Sequence, residues 1–396
     1  MTKKLNQVLL GDCLEILKSI PAESVDLVYL DPPFFSQKDH GLQTRSGEKY
    51  YGFSDTWNDL EEYTTTIEKR VSECRRVLKN TGSLFLHCDR SASHYLKIAL
   101  DRVFGPSNFQ SEIVWTYRRW SNAKKGLLNN HQIIFFYSKT GEFKFNPVFE
   151  AYSPATNVEQ IVQLRSRDAR NKSVYKKNSD GSVALCTAKD GVPLGDVWDI
   201  PFLNPKARER VGYPTQKPVL LLERILQLTT IPGDTVLDPF CGSGTTLVAA
   251  KLNGRNYIGI DKNSDAVLLA KQRLETPFKS ESQLLKKGRA SYLRTDGKIA
   301  AVVEKLKAIP VQRSKGIDGL LSVKNQMVPF KVVVDEDFKT AAGLLKKASA
   351  KNKYPSKALY IEAVLTPAKM AAIEKEFGMI TFKTIGELSR KIRSQN

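Results

Sequence analysis

The sequence is poor in the residues that build metal sites and covalent frameworks. It has 4 histidines and 5 cysteines in 396 residues. The cysteines (Cys13, Cys74, Cys88, Cys186, Cys241) are scattered, with no CxxC pair. That spacing argues against zinc and against a disulfide scaffold, and it fits a reducing cytoplasm. No apolar run approaches the roughly 20 residues that a membrane-spanning helix needs, so no membrane partner is expected. The N-terminal stretch MTKKLNQVLLGD has no long apolar core, so no secretory signal is expected either. Acidic residues are also in deficit, with 42 Asp and Glu against 61 Lys and Arg, a net charge of +19. Such an excess points to a polyanionic partner, because neutralising phosphates releases condensed counterions. A ribosome-associated or merely soluble basic protein would carry the same charge.

What is present is an alternation of strand and helix signals. Val25–Leu30 is a short apolar run stopped by Asp31-Pro32-Pro33, as a buried strand would be. Residues 63–78 have helical apolar spacing, 83–87 read as a second strand, and 94–104 as a helix ended by Gly105-Pro106. Two further strands are expected at 112–117 and 133–137. Order returns with a helix at 219–228, a strand at 236–237, a helix at 245–252, a strand at 257–260 and a helix at 264–274. This βαβ rhythm predicts an α/β domain over 1–277 with a parallel sheet. Residues 150–212 are polar, basic and poor in periodicity, and read as an inserted recognition region. A linker is expected at 278–299 and a small C-terminal α/β domain at 300–396.

Two segments carry chemistry. In the first, Asp238-Pro239-Phe240-Cys241 leads from a strand into Gly242-Ser243-Gly244, and Thr245-Thr246 opens a helix. Glycines permit positive φ and close approach of a ligand, and a helix N-terminus offers free N–H groups to an anion. Thr245 stands where a P-loop needs lysine, and Leu247 where a dinucleotide fold needs its third glycine. S-adenosylmethionine remains as the fitting ligand, with its carboxylate at the helix start. Asp261 ends the next strand at a spacing suited to holding ribose hydroxyls. In the second segment, Asp31-Pro32-Pro33-Phe34, the prolines fix φ and preset acceptors. An exocyclic base amine is a poor nucleophile, because its lone pair is delocalised into the ring. The Asp31 carboxylate and a backbone carbonyl, that of Pro32, can draw density back to nitrogen while Phe34 stacks on the base.

These segments resemble the amino-methyltransferases of DNA, which make N6-methyladenine or N4-methylcytosine. The resemblance spans about residues 5–275. It implies a Rossmann-like, S-adenosylmethionine-dependent methyltransferase sheet with an inserted target-recognition region, and double-stranded DNA as substrate with the target base swung out of the helix. It also implies a cytoplasmic member of a restriction–modification system, with a cognate restriction endonuclease and a homodimer as possible partners. Asp31, Pro32, Pro33 and Phe34 match the family's catalytic motif, and Asp31 itself also borders the cofactor. Asp238, Phe240, Gly242, Ser243, Gly244 and Thr245 match its cofactor loop. Gly11-Asp12-Cys13 is similar to the contact to the cofactor's adenine, which assigns Asp12 and Cys13 there. Pro214-Thr215-Gln216-Lys217-Pro218 is similar to the segment before the cofactor loop, which brings Thr215 and Lys217. The order of motifs marks the β group, and Asp at position 31 goes with adenine N6, with cytosine N4 as the alternative. Phe53–Trp57 resembles a loop beside the catalytic strand. Asp12 would equally cap a helix, and Lys217 would equally contact phosphate or solvent.

Cations interleaved with aromatics suggest DNA contacts: Arg118, Arg119, Lys124 and Lys125 beside Trp115, Tyr117 and Trp120 in one stretch, and Arg165, Arg167, Arg170, Lys172, Lys176 and Lys177 in another. A solvated basic face is the bland alternative. In the tail, Lys315–Gly319 and Pro329–Val332 faintly resemble restriction-nuclease cores, but Pro329 stands where a metal-binding acid belongs. An inactive nuclease-like module or a plain α/β packing domain is expected, with a bifunctional protein carrying an active C-terminal nuclease, or a non-catalytic DNA-binding subunit, as alternatives.

Overall fold

The structure, a computed structural model, describes residues 5–43, 50–117, 126–150, 163–184, 191–204, 207–281, 297–311, 314–323, 326–333, 337–351, 356–361 and 367–394. The chain divides into two compact units, Met1–Leu285 and Lys286–Asn396.

The first unit runs β1 (Gln7–Leu10), α1 (Cys13–Ser19), β2 (Val25–Leu30), α2 (Leu60–Val77), β3 (Leu78–Cys88), α3 (Ser93–Phe104), β4 (Phe109–Thr116), β5 (His131–Ser138), β6 (Val197–Asp199), α4 (Val219–Thr229), β7 (Thr235–Asp238), α5 (Thr245–Leu252), β8 (Asn256–Asp261) and α6 (Ser264–Glu275). Its sheet has eight strands in the order β1-β8-β7-β2-β3-β5-β4-β6. All neighbours are parallel except β5, which is antiparallel to both β3 and β4. The sheet is therefore mixed rather than purely parallel. β4 and β5 follow one another in the chain and pair antiparallel, as consecutive strands commonly do.

Side chains alternate across the sheet as strand geometry demands. Leu27, Tyr29, Phe85, Phe136 and Val236 face one layer with residues of α4, α5 and α6. Val28, Leu30, Leu84, Leu86, Leu237 and Ile258 face the other with α1, α2 and α3. Helix α2 buries Tyr63, Ile67, Val71, Cys74 and Val77, a stripe at helical spacing. At the foot of the sheet the buried Asp26 joins two strands. Its carboxylate accepts the Thr235 N–H at 2.9 Å and lies 2.8 Å from Lys79 Nζ and 3.1 Å from Lys144 Nζ. Lys144 also pairs with Asp234 at 2.7 Å. The amino ends of β2 and β7 thus share one satisfied charge cluster, which fixes their register.

Connections leave β2 toward β3 on one side and β7 toward β8 on the other. The carboxyl ends of β2 and β7 therefore flank a switch point, where open α/β sheets form a crevice.

Part of the expected recognition region belongs to the main fold instead. Val197–Asp199 pairs parallel to β4, and Trp198, Ile200 and Leu203 are buried. The rest of the described stretch forms small ribbons, Phe149–Glu150 with Val192–Pro193 and Arg165–Arg167 with Ser173–Tyr175.

The second unit contains α7 (Gly297–Lys305), β9 (Ile309–Pro310), β10 (Gly319–Val323), β11 (Gln326–Val333), α8 (Phe338–Lys351), β12 (Ala358–Ile361), α9 (Pro367–Phe377), β13 (Ile380–Phe382) and α10 (Ile385–Ser394). Its five strands lie in numerical order. The first three are antiparallel and the last three parallel, with α8 and α9 as crossovers. Phe330, Tyr360, Phe382 and Leu388 fill one side of the core. Pro329 sits opposite Leu320 in the β10–β11 ladder, and Lys331 is buried 3.8 Å from Asp318.

Candidate active site

The crevice is a cavity of about 800 Å³, within the range of small-molecule sites. Asp31, Pro32, Pro33 and Phe34 line it from the end of β2. Asp238, Phe240, Gly242, Ser243 and Thr245 line it from the end of β7. Asp12, Cys13, Thr215, Lys217 and Asp261 complete the set expected from the sequence. Gly244 is the exception, because it does not reach the cavity wall. It adopts φ +76° at the start of α5, and an added Cβ would lie 2.7 Å from Ala270 Cβ. Its role is to let the loop pack on α6.

The glycine loop is held from behind. Cys241 N–H donates to Ile260 O at 2.9 Å, and Gly242 N–H donates to Asp261 Oδ2 at 2.8 Å. Asp261 Oδ1 accepts the Asn263 N–H at 2.8 Å. Each carboxylate oxygen keeps a further lone pair for a ligand hydroxyl. Gly242 has φ +47°, and a Cβ there would meet the Tyr213 ring at 3.1 Å. Burial pushes the Asp238 carboxyl up to about 7, opposed by hydrogen bonds from Thr246 and the Phe240 N–H. Thr215 is a β-branched residue at φ +59°, a strained conformation that backbone seldom adopts away from functional sites. The Gln216 side chain braces that turn by accepting the Val211 N–H and donating to Glu209 O.

Asp31 has two unlike oxygens. Oδ2 accepts a hydrogen bond from the buried Lys217 ammonium. Oδ1 is buried and has no hydrogen-bond partner. Burial raises the Asp31 pKa above the usual carboxylate range, and the Lys217 charge opposes that rise. Lys217 Nζ also sits 5.4 Å from the centre of the Phe34 ring. The alternatives of phosphate or solvent contact for Lys217 do not hold, since it is inside the wall and paired.

Below this loop lies a relay that sequence reading missed. Tyr29 OH is 2.8 Å from His87 Nδ1, and His87 Nε2 is 2.8 Å from Gln132 Oε1. With a carbonyl oxygen as its partner, Nε2 carries the proton, so Nδ1 accepts from the tyrosine. Burial and the nearby Lys217 charge hold His87 well below its ordinary pKa. The ring is therefore neutral. Nδ1 lies 3.7 Å from Asp31 Oδ1 without a proton to offer it.

The adenine-side residues also do structural duty. Asp12 caps α1, accepting the Leu14 N–H at 2.7 Å, and pairs with Arg70 at 2.8 Å. Arg70 lines the cavity too, and nothing in its helical stretch marked it out. Burial pushes the Cys13 thiol up to about 11, so it is a neutral wall. In the loop beside the catalytic strand, Trp57 exchanges two hydrogen bonds with Gln37 and packs edge-on against Tyr63, with ring centres 5.0 Å apart.

The expected DNA-contact set divides. Arg118, Arg119, Lys124 and Lys125 lie outside the described residues. Trp115 and Tyr117, the aromatics beside them, are core residues at 0% and 1% exposure. They alternate inward with Ile113, and burying those rings outweighs any gain from displaying them. Arg165, Arg167, Arg170, Lys172, Lys176 and Lys177 are all exposed. Among the described residues no group of His, Cys, Asp and Glu is arranged to hold a metal, and no helix is long and apolar enough to cross a membrane.

Comparison with known proteins agrees with this geometry. A family model described as DNA methylase matches residues 25–272. Type II methyltransferase M.HinfI of Haemophilus influenzae is 32% identical over 277 residues, covering 68% of each chain. DNA adenine methyltransferase YhdJ of Escherichia coli (strain K12) is 32% identical over 267 residues, covering 67% of this chain and 81% of that protein. Among solved structures, the PvuII DNA methyltransferase (cytosine-N4-specific) is 18% identical, with a TM-score of 0.46 over 69% of this chain and 87% of that one.

Proposed function

The chain belongs to the N6/N4 DNA methylase family, and from that premise we propose that it methylates the N6 amine of adenine in double-stranded DNA, with S-adenosylmethionine as donor. One observation carries the reading. A buried carboxylate oxygen, Asp31 Oδ1, is left without a partner in the wall of the cavity that the glycine loop also lines. A buried acceptor with no donor is costly, and a ligand N–H relieves that cost.

Bound S-adenosylmethionine supplies the electrophilic methyl group. The chain's own residues do the rest. Asp31 Oδ1 and the Pro32 carbonyl would accept hydrogen bonds from the two N–H groups of the amine and localise its lone pair, and the single proton that nitrogen sheds on gaining the methyl would leave by way of Asp31 to solvent. Lys217 keeps Asp31 ionised and in place. The carboxylate charge offsets the positive charge that develops on nitrogen, in a site where water is largely excluded. Phe34 offers a face to the base, which reaches the cavity by leaving the duplex. The loop from Gly242 to Thr245 receives the amino-acid end of the cofactor, and Asp261 its ribose. Adenine is favoured over cytosine because the 32%-identical YhdJ is a DNA adenine methyltransferase and because of the aspartate at position 31.

The exposed cations from Arg165 to Lys177 are read as phosphate contacts. The unit Lys286–Asn396 is read as an inactive nuclease-like module that adds DNA or protein contacts, or equally as a plain α/β packing domain. The same proposal places the protein in the cytoplasm, as a homodimer and alongside a cognate restriction endonuclease.

The test is incubation with S-adenosylmethionine and plasmid DNA, followed by mapping of modified bases. N6-methyladenine in a fixed sequence context is expected. N4-methylcytosine would move the choice of base, and no modification on any DNA would end the proposal. Asp31→Ala should abolish transfer while leaving cofactor affinity close to that of the wild type.

A further inference from the structure

Behind the glycine loop stands a cation that the proposed reaction does not use. Arg273 lies in the last turn of α6 and does not itself line the cavity. Its Nη1 donates to Ser243 O at 2.7 Å, Ser243 Oγ at 3.0 Å and Thr245 Oγ1 at 3.1 Å. Nη2 is buried and has no hydrogen-bond partner. Burial draws the guanidinium pKa down to about 10, so the group is still charged at neutral pH. Glu209 is the carboxylate that acts on it, but at a distance. Its two oxygens are committed to the Val219 and Ser280 N–H groups at 2.7 Å each.

A buried charge without a contacting counter-charge is expensive, and single mutations that create one are strongly destabilising. A loop that needed only bracing could be braced by neutral donors. Here the charge is pressed against Ser243 and Thr245, two loop residues that line the cavity. The N-terminus of α5 opens at the same place and adds its partial positive charge. Both fields point to an anion on the cavity side.

We propose that Arg273 is a positioning residue for the carboxylate of the bound cofactor, acting through the loop as that carboxylate's buried counter-charge. The inference rests on the S-adenosylmethionine reading given above. It assigns to α6 a part in cofactor selectivity, since a ligand without the carboxylate has nothing to offer this charge.

The experiment measures equilibrium binding of S-adenosylmethionine and of decarboxylated S-adenosylmethionine to the full chain without DNA. Arg273→Gln keeps an amide donor for Ser243, and Arg273→Met keeps apolar volume, so either one that folds reads the loss of charge. Circular dichroism and thermal melting report folding. In the neutral variants affinity for S-adenosylmethionine should fall roughly tenfold, the size expected of a charge on the order of 10 Å away at an effective dielectric constant of about 20. Affinity for the decarboxylated ligand should stay close to that of the wild type. Arg273→Lys should retain the wild-type preference between the two ligands. Equal weakening of both ligands in the neutral variants would make Arg273 a loop brace and overturn the inference alone. A wild-type protein that binds neither ligand would overturn the cofactor reading, and the inference with it.

Discussion

Lys217 and Asp31 lie 186 positions apart in the chain and form one ion pair that occupies a single oxygen of the carboxylate. The other oxygen is left open at the cavity wall. In the proposed reaction this division would give the pair two tasks, with the lysine setting the charge of the acid and the open oxygen meeting the substrate.

Replacing Lys217 with Met should therefore cost turnover more than fold. The Asp31 pKa, already raised by burial, would rise further once its cation is gone. Only the ionised acid works, so activity is lost as pH falls through the raised pKa. The acidic limb of the kcat profile should move to higher pH, and kcat near neutrality should drop roughly ten- to a hundredfold, the worth of a charge-assisted hydrogen bond. A pH–rate profile of wild type and variant checks this, and an unmoved limb would remove Lys217 from catalysis.

Gly244→Ala should destabilise the protein and Gly233→Ala much less. Both glycines have positive φ, at +76° and +90°. At Gly233 nothing lies within 4 Å of an added Cβ, so the cost is backbone strain of about 1 kcal/mol. At Gly244 the clash with Ala270 adds to the strain, for a total of about 2–4 kcal/mol. Thermal unfolding of the two variants gives the difference directly.

His87 should make stability depend on pH. In the unfolded chain it titrates near its ordinary value, whereas the folded protein holds it neutral to well below that. Between the two values the unfolded state binds the extra proton. The contribution is thus complete above about pH 6.5 and is lost as pH falls, at up to about 1.4 kcal/mol per pH unit. Asp238 acts in the opposite sense, because a carboxyl raised to about 7 favours the fold at low pH and loses that effect as pH rises through this value. Comparing wild type with His87→Gln by chemical denaturation from pH 5 to 7.5 isolates the histidine. Parallel curves would contradict the assignment.

The basic ribbon should reveal itself through salt. Arg165 stacks over Tyr175 at 4.8 Å and Arg167 donates to Asn171 O at 2.9 Å, so both also hold the ribbon. Arg170→Ala with Lys172→Ala is the cleaner pair. If each meets a phosphate, the slope of log K against log salt should lose about 0.9 per residue. Filter binding or anisotropy from low to moderate salt measures it, and an unchanged slope would return the ribbon to solvent.

The two loops that line the crevice were legible because each breaks a buried strand with residues that have few other uses. Asp-Pro-Pro cannot continue β2, and Gly-Ser-Gly cannot continue β7. The helices of the first unit were equally plain, since stripes such as Tyr63, Ile67, Val71 and Cys74 repeat at the helical period. β6 was not legible. It has three residues in a polar stretch, and only pairing beside β4 buries Trp198. Trp115 and Tyr117 fall at the end of the strand expected at 112–117, and their alternation with Ile113 turns them inward. Arg70, Tyr213 and Arg273 take their meaning from partners far away in the chain. A cation in the last turn of a helix is common, and nothing local separates Arg273 from an ordinary one.

β7 pairs directly with β2, Val236 beside Leu27 and Leu237 beside Val28. The spacing of the two loops that line the crevice is thus set by neighbouring strands roughly 4.8 Å apart. Reactivity is inherited with the backbone. The outlying ribbons pair with neither strand, so their sequence can change without moving the two loops.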